Sequence, residues 1–221
     1  MKKIGLFMMV ALTLAACGSK SAEQDVEEQS SVTSIGSLES SVVAENSLSE
    51  EVYMEVKDGP LTEVGQYKND ENRGTIYLEK INNVNQSFEL IPGLSMNVRD
   101  IKILRVEDAT DSFKDTLDIF SIQYSDPSYL LQISYDVENN TDTPHRGVMI
   151  NRIVSDVGIQ IDNNLNSIYE DDVEAHAKRV DLFSLFVIDG KELNSFKAYA
   201  NDLNAPDTGY MVDAAPFDIS F

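Results

Sequence analysis

The chain has 221 residues, and its 17 Lys and Arg against 38 Asp and Glu give a formal net charge of −21. A surface this acidic repels nucleic acid and anionic lipid headgroups, so neither is expected as a ligand. The chain has one cysteine and no tryptophan. Because a disulfide within the chain needs two cysteines, the folded part has to be stabilised by its core alone.

The N-terminus has the parts of an export signal. The basic pair Lys2 and Lys3 precedes an apolar run from Ile4 to Ala16. This run is too short to span a bilayer comfortably, because a spanning helix needs about 20 apolar residues. We therefore predict that residues 1–16 are a signal peptide.

The residues at the predicted cleavage site resemble the lipobox of bacterial lipoproteins. Leu14-Ala15-Ala16-Cys17 is followed by Gly18 and Ser19, as is usual in that family. The resemblance implies cleavage between Ala16 and Cys17 and a diacylglyceryl group on the Cys17 thiol. Two acyl chains anchor a protein stably, since each buried CH₂ contributes about 0.8 kcal/mol. The sequence thus predicts a lipid anchor on the extracytoplasmic face of the cell membrane; the alternative is an ordinary secretory signal with an incidental cysteine.

Residues 17–72 are predicted to be a disordered tether. Serine and acidic residues recur from Gly18 to about Lys57, and no aromatic residue occurs there before Tyr53. A stretch of this composition cannot bury enough apolar surface to offset the entropy lost on ordering. The alternative is that the acidic stretch binds a basic partner.

Residues 73–221 form the predicted folded domain, and they show mainly the two-residue period of β-strands. Apolar residues alternate with polar ones from Leu131 to Val137, and Asn139-Asn140-Thr141-Asp142 then ends the run. Further strands are predicted near Thr75–Ile81, Phe88–Ile91, Leu94–Val106, Val148–Val154, Val157–Ile161, Leu182–Ile188, Phe196–Ala200 and Phe217–Phe221. Many short strands without regular strand–helix alternation favour an all-β, antiparallel two-sheet sandwich.

Two segments depart from simple alternation. In Leu94–Val106 the apolar face switches between Ile103 and Leu104, which predicts a β-bulge there. The helical spacing of Phe113, Leu117 and Phe120 predicts a short helical insertion over residues 112–122. Ser112-x-x-Asp115 is a weak capping box at its start.

The segments "YLLQISYDVENNTDTP" (129–144) and "DVGIQI" (156–161) carry a family resemblance. They resemble the immunoglobulin-like domains of unknown function in lipoproteins of Gram-positive bacteria, which are similar to a small secreted mycobacterial antigen. In that family a hydrophobic strand ends in an Asn-rich turn, and a later strand carries a Gly-x-x-hydrophobic pattern. The resemblance implies an immunoglobulin-like sandwich over 73–221 and an extracellular location, and it brings no catalytic residue.

No sequence pattern points to catalysis. His145 and His176 are the only histidines, and neither a Gly-x-Ser-x-Gly elbow nor a zinc-ligand spacing occurs. A triad assembled from distant loops stays open. We predict that the protein is not an enzyme and uses no cofactor.

Acidic and amide side chains cluster at residues 162–166 and 170–172, which raises the question of calcium. An EF-hand loop is excluded, because Ser167 stands where that loop needs Gly and Val173 where it needs Glu. A calcium site of another kind stays open as the alternative to a solvated polar loop, with the candidate ligands Asp162, Asp171 and Asp172.

These features together predict a binding or interaction module, held to the membrane through Cys17, whose protein or envelope partner the sequence does not identify. The alternative is a solute-binding or Ca²⁺-dependent lipoprotein or adhesin that uses the polar loops near 162–172.

Overall fold

The computed structural model describes residues 53–166, 172–204 and 211–221. Within these ranges the chain forms fifteen strands and one helix, and every strand pairing except β1 with β2 is antiparallel. In chain order the elements are β1 (Met54–Glu55), β2 (Gln66–Asp70), β3 (Gly74–Asn82), β4 (Gln86–Ile91), β5 (Leu94–Glu107), α1 (Asp111–Ile119), β6 (Ser128–Asn139), β7 (His145–Arg146), β8 (Ile150–Ser155), β9 (Gln160–Ile161), β10 (Asp172–Val173), β11 (Ala177–Ile188), β12 (Ser195–Ala200), β13 (Leu203–Asn204), β14 (Met211–Val212) and β15 (Phe217–Ser220). The predicted all-β sandwich with one short helix is confirmed.

The larger sheet is built around the long strand β5. Its order is β1-β2-β3-β5-β6-β11, and β4 pairs with the first half of β5 beside β3. The β4–β5 hairpin closes at Pro92-Gly93, where the φ of Gly93 is 85°. Proline followed by a residue of positive φ is the signature of a type II turn.

Two further four-stranded sheets have the orders β9-β8-β12-β15 and β10-β7-β13-β14, and we call these two together the smaller sheet. Strands β7 and β8 are separated only by residues 147–149, and β12 and β13 only by residues 201–202. Asn201 bridges the interruption, since its backbone N–H donates to the Met149 carbonyl at 3.0 Å and its Nδ2 donates to the Gly147 carbonyl at 3.2 Å.

Two apolar clusters lie on opposite faces of the larger sheet. The first fills the space between the sheets and joins Met96, Ile133 and Phe186 to Ile153 and Phe196 of the smaller sheet. The second lies on the other face, which we call the outer face, and is covered by α1; it includes Leu61, Leu78, Leu104, Phe113, Leu117, Leu130 and Leu185. The larger sheet is therefore apolar on both sides.

This double coverage corrects the bulge predicted between Ile103 and Leu104. The pairing with β6 continues without a shift there, from Ile103 opposite Leu131 to Leu104 opposite Leu130. Ile103 belongs to the first cluster and Leu104 to the second, so consecutive apolar residues point to opposite covered faces. Strand β5 therefore has no extra residue at this position. The register with β3 does shift there, from Leu78 opposite Leu104 to Lys80 opposite Ile103, so the bulge lies on β3 at Glu79 and not on β5.

A bulge does occur in β5, at Arg99. The register with β6 shifts between Val98 and Asp100. The extra residue places both Val98 and Ile101 in the cluster between the sheets, although they are three positions apart.

Helix α1 confirms the predicted insertion but not its predicted cap. The N-cap is Thr110, whose Oγ1 accepts a hydrogen bond from the Phe113 N–H at 3.2 Å, rather than Ser112. Phe113 and Leu117 are buried against the outer face of the larger sheet, as their spacing predicted.

Folded structure begins before residue 73, within the segment assigned to the tether. Strand β2 pairs with β3, and Leu61 is only 4% exposed. Tyr53 packs edge-on against Tyr77, with 4.9 Å between the ring centroids. The few apolar side chains of residues 53–72 join a core supplied by the rest of the chain, which average composition does not reveal. The remainder of the predicted tether and the predicted signal peptide lie outside the described residues.

Candidate interaction surface

The β8–β9 and β11–β12 connections together form an apolar trough of about 280 Å³. The first connection contributes Val157 and Ile159, which are 78% and 49% exposed, and the second contributes Leu193. Ile161 and Ile188 complete the lining. Single exposed apolar side chains are ordinary on protein surfaces, but adjacent ones around a concavity indicate a binding surface.

The β8–β9 turn is held by Ser155. The carbonyl of Ser155 accepts a hydrogen bond from the Gly158 N–H at 2.9 Å. The N–H of Ser155 donates to the Ile159 carbonyl at 2.9 Å, and the Oγ of Ser155 accepts from the Ile159 N–H at 3.0 Å. Gly158 has a φ of 82°, which a strand residue does not adopt. The predicted strand Val157–Ile161 is therefore reduced to β9, and Val157 stands on a fixed turn.

The rim of the trough is acidic. Asp156, Asp189 and Glu192 line it, and no Lys or Arg is among its described lining residues. The nearby Lys191 points elsewhere, with its Nζ 3.4 Å from Glu79 Oε2. The trough therefore suits a partner segment that presents an apolar side chain next to basic residues.

Sequence reasoning missed this site. The apolar pair around Gly158 was the only local signal, and the alternation of Val157, Ile159 and Ile161 made it resemble a strand. The acidic rim comes from two segments that only the fold brings together.

Of the predicted site residues, Ala16, Cys17 and Asp171 lie outside the described ranges. Asp162 is exposed, and its carboxylate accepts from Gln160 Nε2 at 3.1 and 2.9 Å. Asp172 accepts from Arg146 Nε at 2.9 Å. No group of three or more His, Cys, Asp or Glu within the described ranges is placed to hold a metal ion. The calcium alternative stays a prediction, since one of its three ligands is not described.

Asn164, in the middle of the polar run 162–166, has a structural role. Its side chain is buried; Oδ1 accepts from the Leu185 N–H at 3.0 Å and Nδ2 donates to the Ile150 carbonyl at 2.9 Å. Nδ2 also lies 3.1 Å from Ser184 Oγ, which is 3.2 Å from the hydroxyl of Tyr135. Burial raises the pKa of Tyr135 and keeps its hydroxyl protonated. This amide ties its loop to both sheets.

The two histidines differ in their surroundings. His145 is 4% exposed, with Nε2 3.2 Å from Thr141 Oγ1, and burial lowers its pKa because charging the ring there costs solvation. His176 is exposed, and its Nε2 lies 3.0 Å from Asp142 Oδ1.

We expect the free energy of unfolding to fall as the pH drops from 7.5 to 5.5. Since the pKa of His145 is lower in the folded state, the unfolded chain binds a proton first, and stability is lost below the ordinary histidine value of about 6.5. Urea unfolding at several pH values measures this slope. His145→Gln should flatten the slope, and equal slopes in wild type and His145→Gln would contradict the assignment.

Comparison with protein-family models and with curated proteins gives no match for this chain. In the part of the chain that the structure describes, no helix is long and apolar enough to cross a membrane.

Proposed function

We propose that the protein is a lipid-anchored lipoprotein of the cell surface whose β-sandwich binds a protein partner through the trough at Val157 and Ile159. The observation that carries the binding role is the pair of exposed apolar side chains on a fixed turn above an acidic rim. The lipobox-like sequence ending at Cys17 and the resemblance to immunoglobulin-like lipoprotein domains support the location.

The chemistry of the trough defines the class of partner. Full burial of one large apolar side chain contributes about 1.5–3 kcal/mol, so the loss of one such contact changes the affinity about tenfold or more. Acidic groups on the rim raise the association rate of a basic partner and disfavour acidic ones. We propose a partner segment in which an apolar residue is flanked by Lys or Arg.

Peptide display against the immobilised full chain carrying Cys17→Ser tests this proposal. Selected peptides are expected to combine an apolar residue with neighbouring Lys or Arg. Val157→Asp and Ile159→Asp should each weaken the selected peptides at least about tenfold, because a carboxylate is then forced into the apolar contact.

Val64→Asp is the matched control, since Val64 is 63% exposed on the β1–β2 connection and does not line the trough. Selected peptides without basic residues would contradict the proposal. So would peptides that bind the Val157→Asp variant as tightly as wild type.

The proposed anchor is tested separately in cells. Cys17→Ser removes the only thiol that can carry the lipid, so the protein should move from the detergent phase to the aqueous phase or remain an uncleaved precursor. Ser19→Ala, two residues away, should partition like wild type. Membrane retention of a cleaved Cys17→Ser protein would show that the anchor is not a lipid on this residue.

A further inference from the structure

The outer face of the larger sheet is not completely covered. Helix α1 and Leu61 pack over part of the second cluster, and beside them a pocket of about 190 Å³ remains open. Leu104, Leu130 and Leu185 contribute apolar surface to it. Two further pockets, of about 440 and 160 Å³, share Arg73 and Phe183 with this one, so the cavity continues along the sheet.

Three cations line this apolar pocket, namely Lys68, Arg73 and Lys102. Lys68 is paired directly with Ile76, and Lys102 with Gln132, so these side chains share the outer face with the leucines. The chain has only 17 basic residues against 38 acidic ones, which makes a pocket with three cations and no acidic lining residue unusual in this molecule.

The acids nearest these cations leave positive charge unbalanced. Asp70 lies 3.4 Å from Arg73, and Asp100 lies 3.6 Å from Lys102, whose side chain is only 10% exposed. Within the described ranges Lys68 has no acid at ion-pair distance. Arg73 and Lys102 thus have one carboxylate partner each, and the charge of Lys68 is left over. An anion in the pocket would balance this charge next to the largely buried Lys102.

We propose that this pocket binds a small organic anion, a carboxylate with an unbranched apolar body of the medium-chain fatty acid type. The carboxylate lies between Lys68 and Lys102, where the amide of Gln132 has a second N–H to donate besides its 3.2 Å bond to Ser134. The apolar body lies on the leucine floor and extends toward Phe183. This site is separate from the trough and does not depend on the proposed function.

Octanoate titrated into the full chain carrying Cys17→Ser, with ¹³C-labelled leucine methyl groups, tests the proposal by NMR. Saturable shifts are expected at Leu104, Leu130 and Leu185, whereas octylammonium, of equal length and opposite charge, should cause none. The double variant Lys68→Gln/Lys102→Gln should weaken octanoate at least about tenfold, and Lys68→Gln alone about fivefold.

Lys197→Gln is the matched control, because Lys197 pairs with Asp218 on the smaller sheet and does not line the pocket. Circular dichroism establishes whether each variant is folded. If the double variant does not fold, Lys68→Gln alone still tests the proposal. Equal binding of octylammonium, complete competition by inorganic phosphate, or no saturable octanoate binding would each overturn the proposal. Val157→Asp should bind octanoate like wild type, which separates this site from the trough.

Discussion

Replacing Asn139 with alanine is expected to lower the free energy of unfolding by about 3 kcal/mol. The side chain is fully buried, and Nδ2 lies 2.9 Å from the carbonyl oxygen of Thr143 and 3.0 Å from those of Val173 and Glu174. Its Oδ1 accepts from the N–H of Thr141 at 3.0 Å and from the Thr141 hydroxyl at 2.7 Å. Alanine removes all of these hydrogen bonds, so the carbonyl of Val173 and the N–H of Thr141 lose the partner that the amide supplied.

Urea unfolding followed by circular dichroism measures this loss, and the adjacent Asn140 provides the control. Asn140 is exposed, and its amide contacts only the exposed Glu138, at 3.2 Å. Asn140→Ala should therefore change the stability by no more than about 0.5 kcal/mol. Similar losses in both variants would mean that the turn as a whole, and not the amide of Asn139, determines stability.

Asn164→Ala is expected to cost a similar amount, about 2–4 kcal/mol. The variant leaves the N–H of Leu185 without its acceptor and removes the bond to the Ile150 carbonyl. It also removes the side-chain acceptor of the Asn166 N–H, at 3.0 Å. Because the same amide joins β11 to the loop before it, the loop should detach before the sandwich unfolds.

Calorimetry gives the total loss, and hydrogen exchange at the Leu185 amide reports the local opening. The matched control is Asn163→Ala, since Asn163 is exposed and reaches only the Phe120 carbonyl at 3.5 Å. Faster exchange at Leu185 is expected in Asn164→Ala alone. Unchanged exchange there would show that the amide does not hold the loop.

The strands that could be predicted from sequence are the long ones in which the same face is buried along the whole strand. Strand β6 alternates from Leu131 to Val137 because one face packs between the sheets over its whole length. The same logic placed a bulge in β5 at Ile103 and Leu104, whereas the extra residue at that position is Glu79 of the neighbouring strand β3. A bulge and a sheet covered on both faces produce the same local pattern, and only the position of α1 distinguishes them.

The short strands could not be predicted, for a different reason. Strands such as β7 and β10 have two residues each. An alternation of apolar and polar residues cannot be recognised in so short a segment. Strand β2 reads Gln-Tyr-Lys-Asn-Asp, and its pairing with β3 depends on a tertiary surface that its own composition does not show.

The candidate sites were hidden for a similar reason. Lys68 lay within the predicted tether, and Lys102 looks like an ordinary solvent-facing residue of a strand. Their proximity to one pocket arises from strand order. Asn164 looked like part of a polar loop, although it is buried. A polar run therefore does not reveal which of its amides is structural.

Strand β11 lies at one edge of the larger sheet, and its outer side affects whether copies of the chain can pair with each other. An uncovered strand edge is a template for pairing between copies. Here Leu165 donates to the Leu185 carbonyl at 2.8 Å, and Asn164 forms a β-bridge with Phe186, so the loop occupies part of that edge. A bulge between Arg179 and Leu182 interrupts more of it. Both features disfavour sheet extension between copies along this side of the larger sheet.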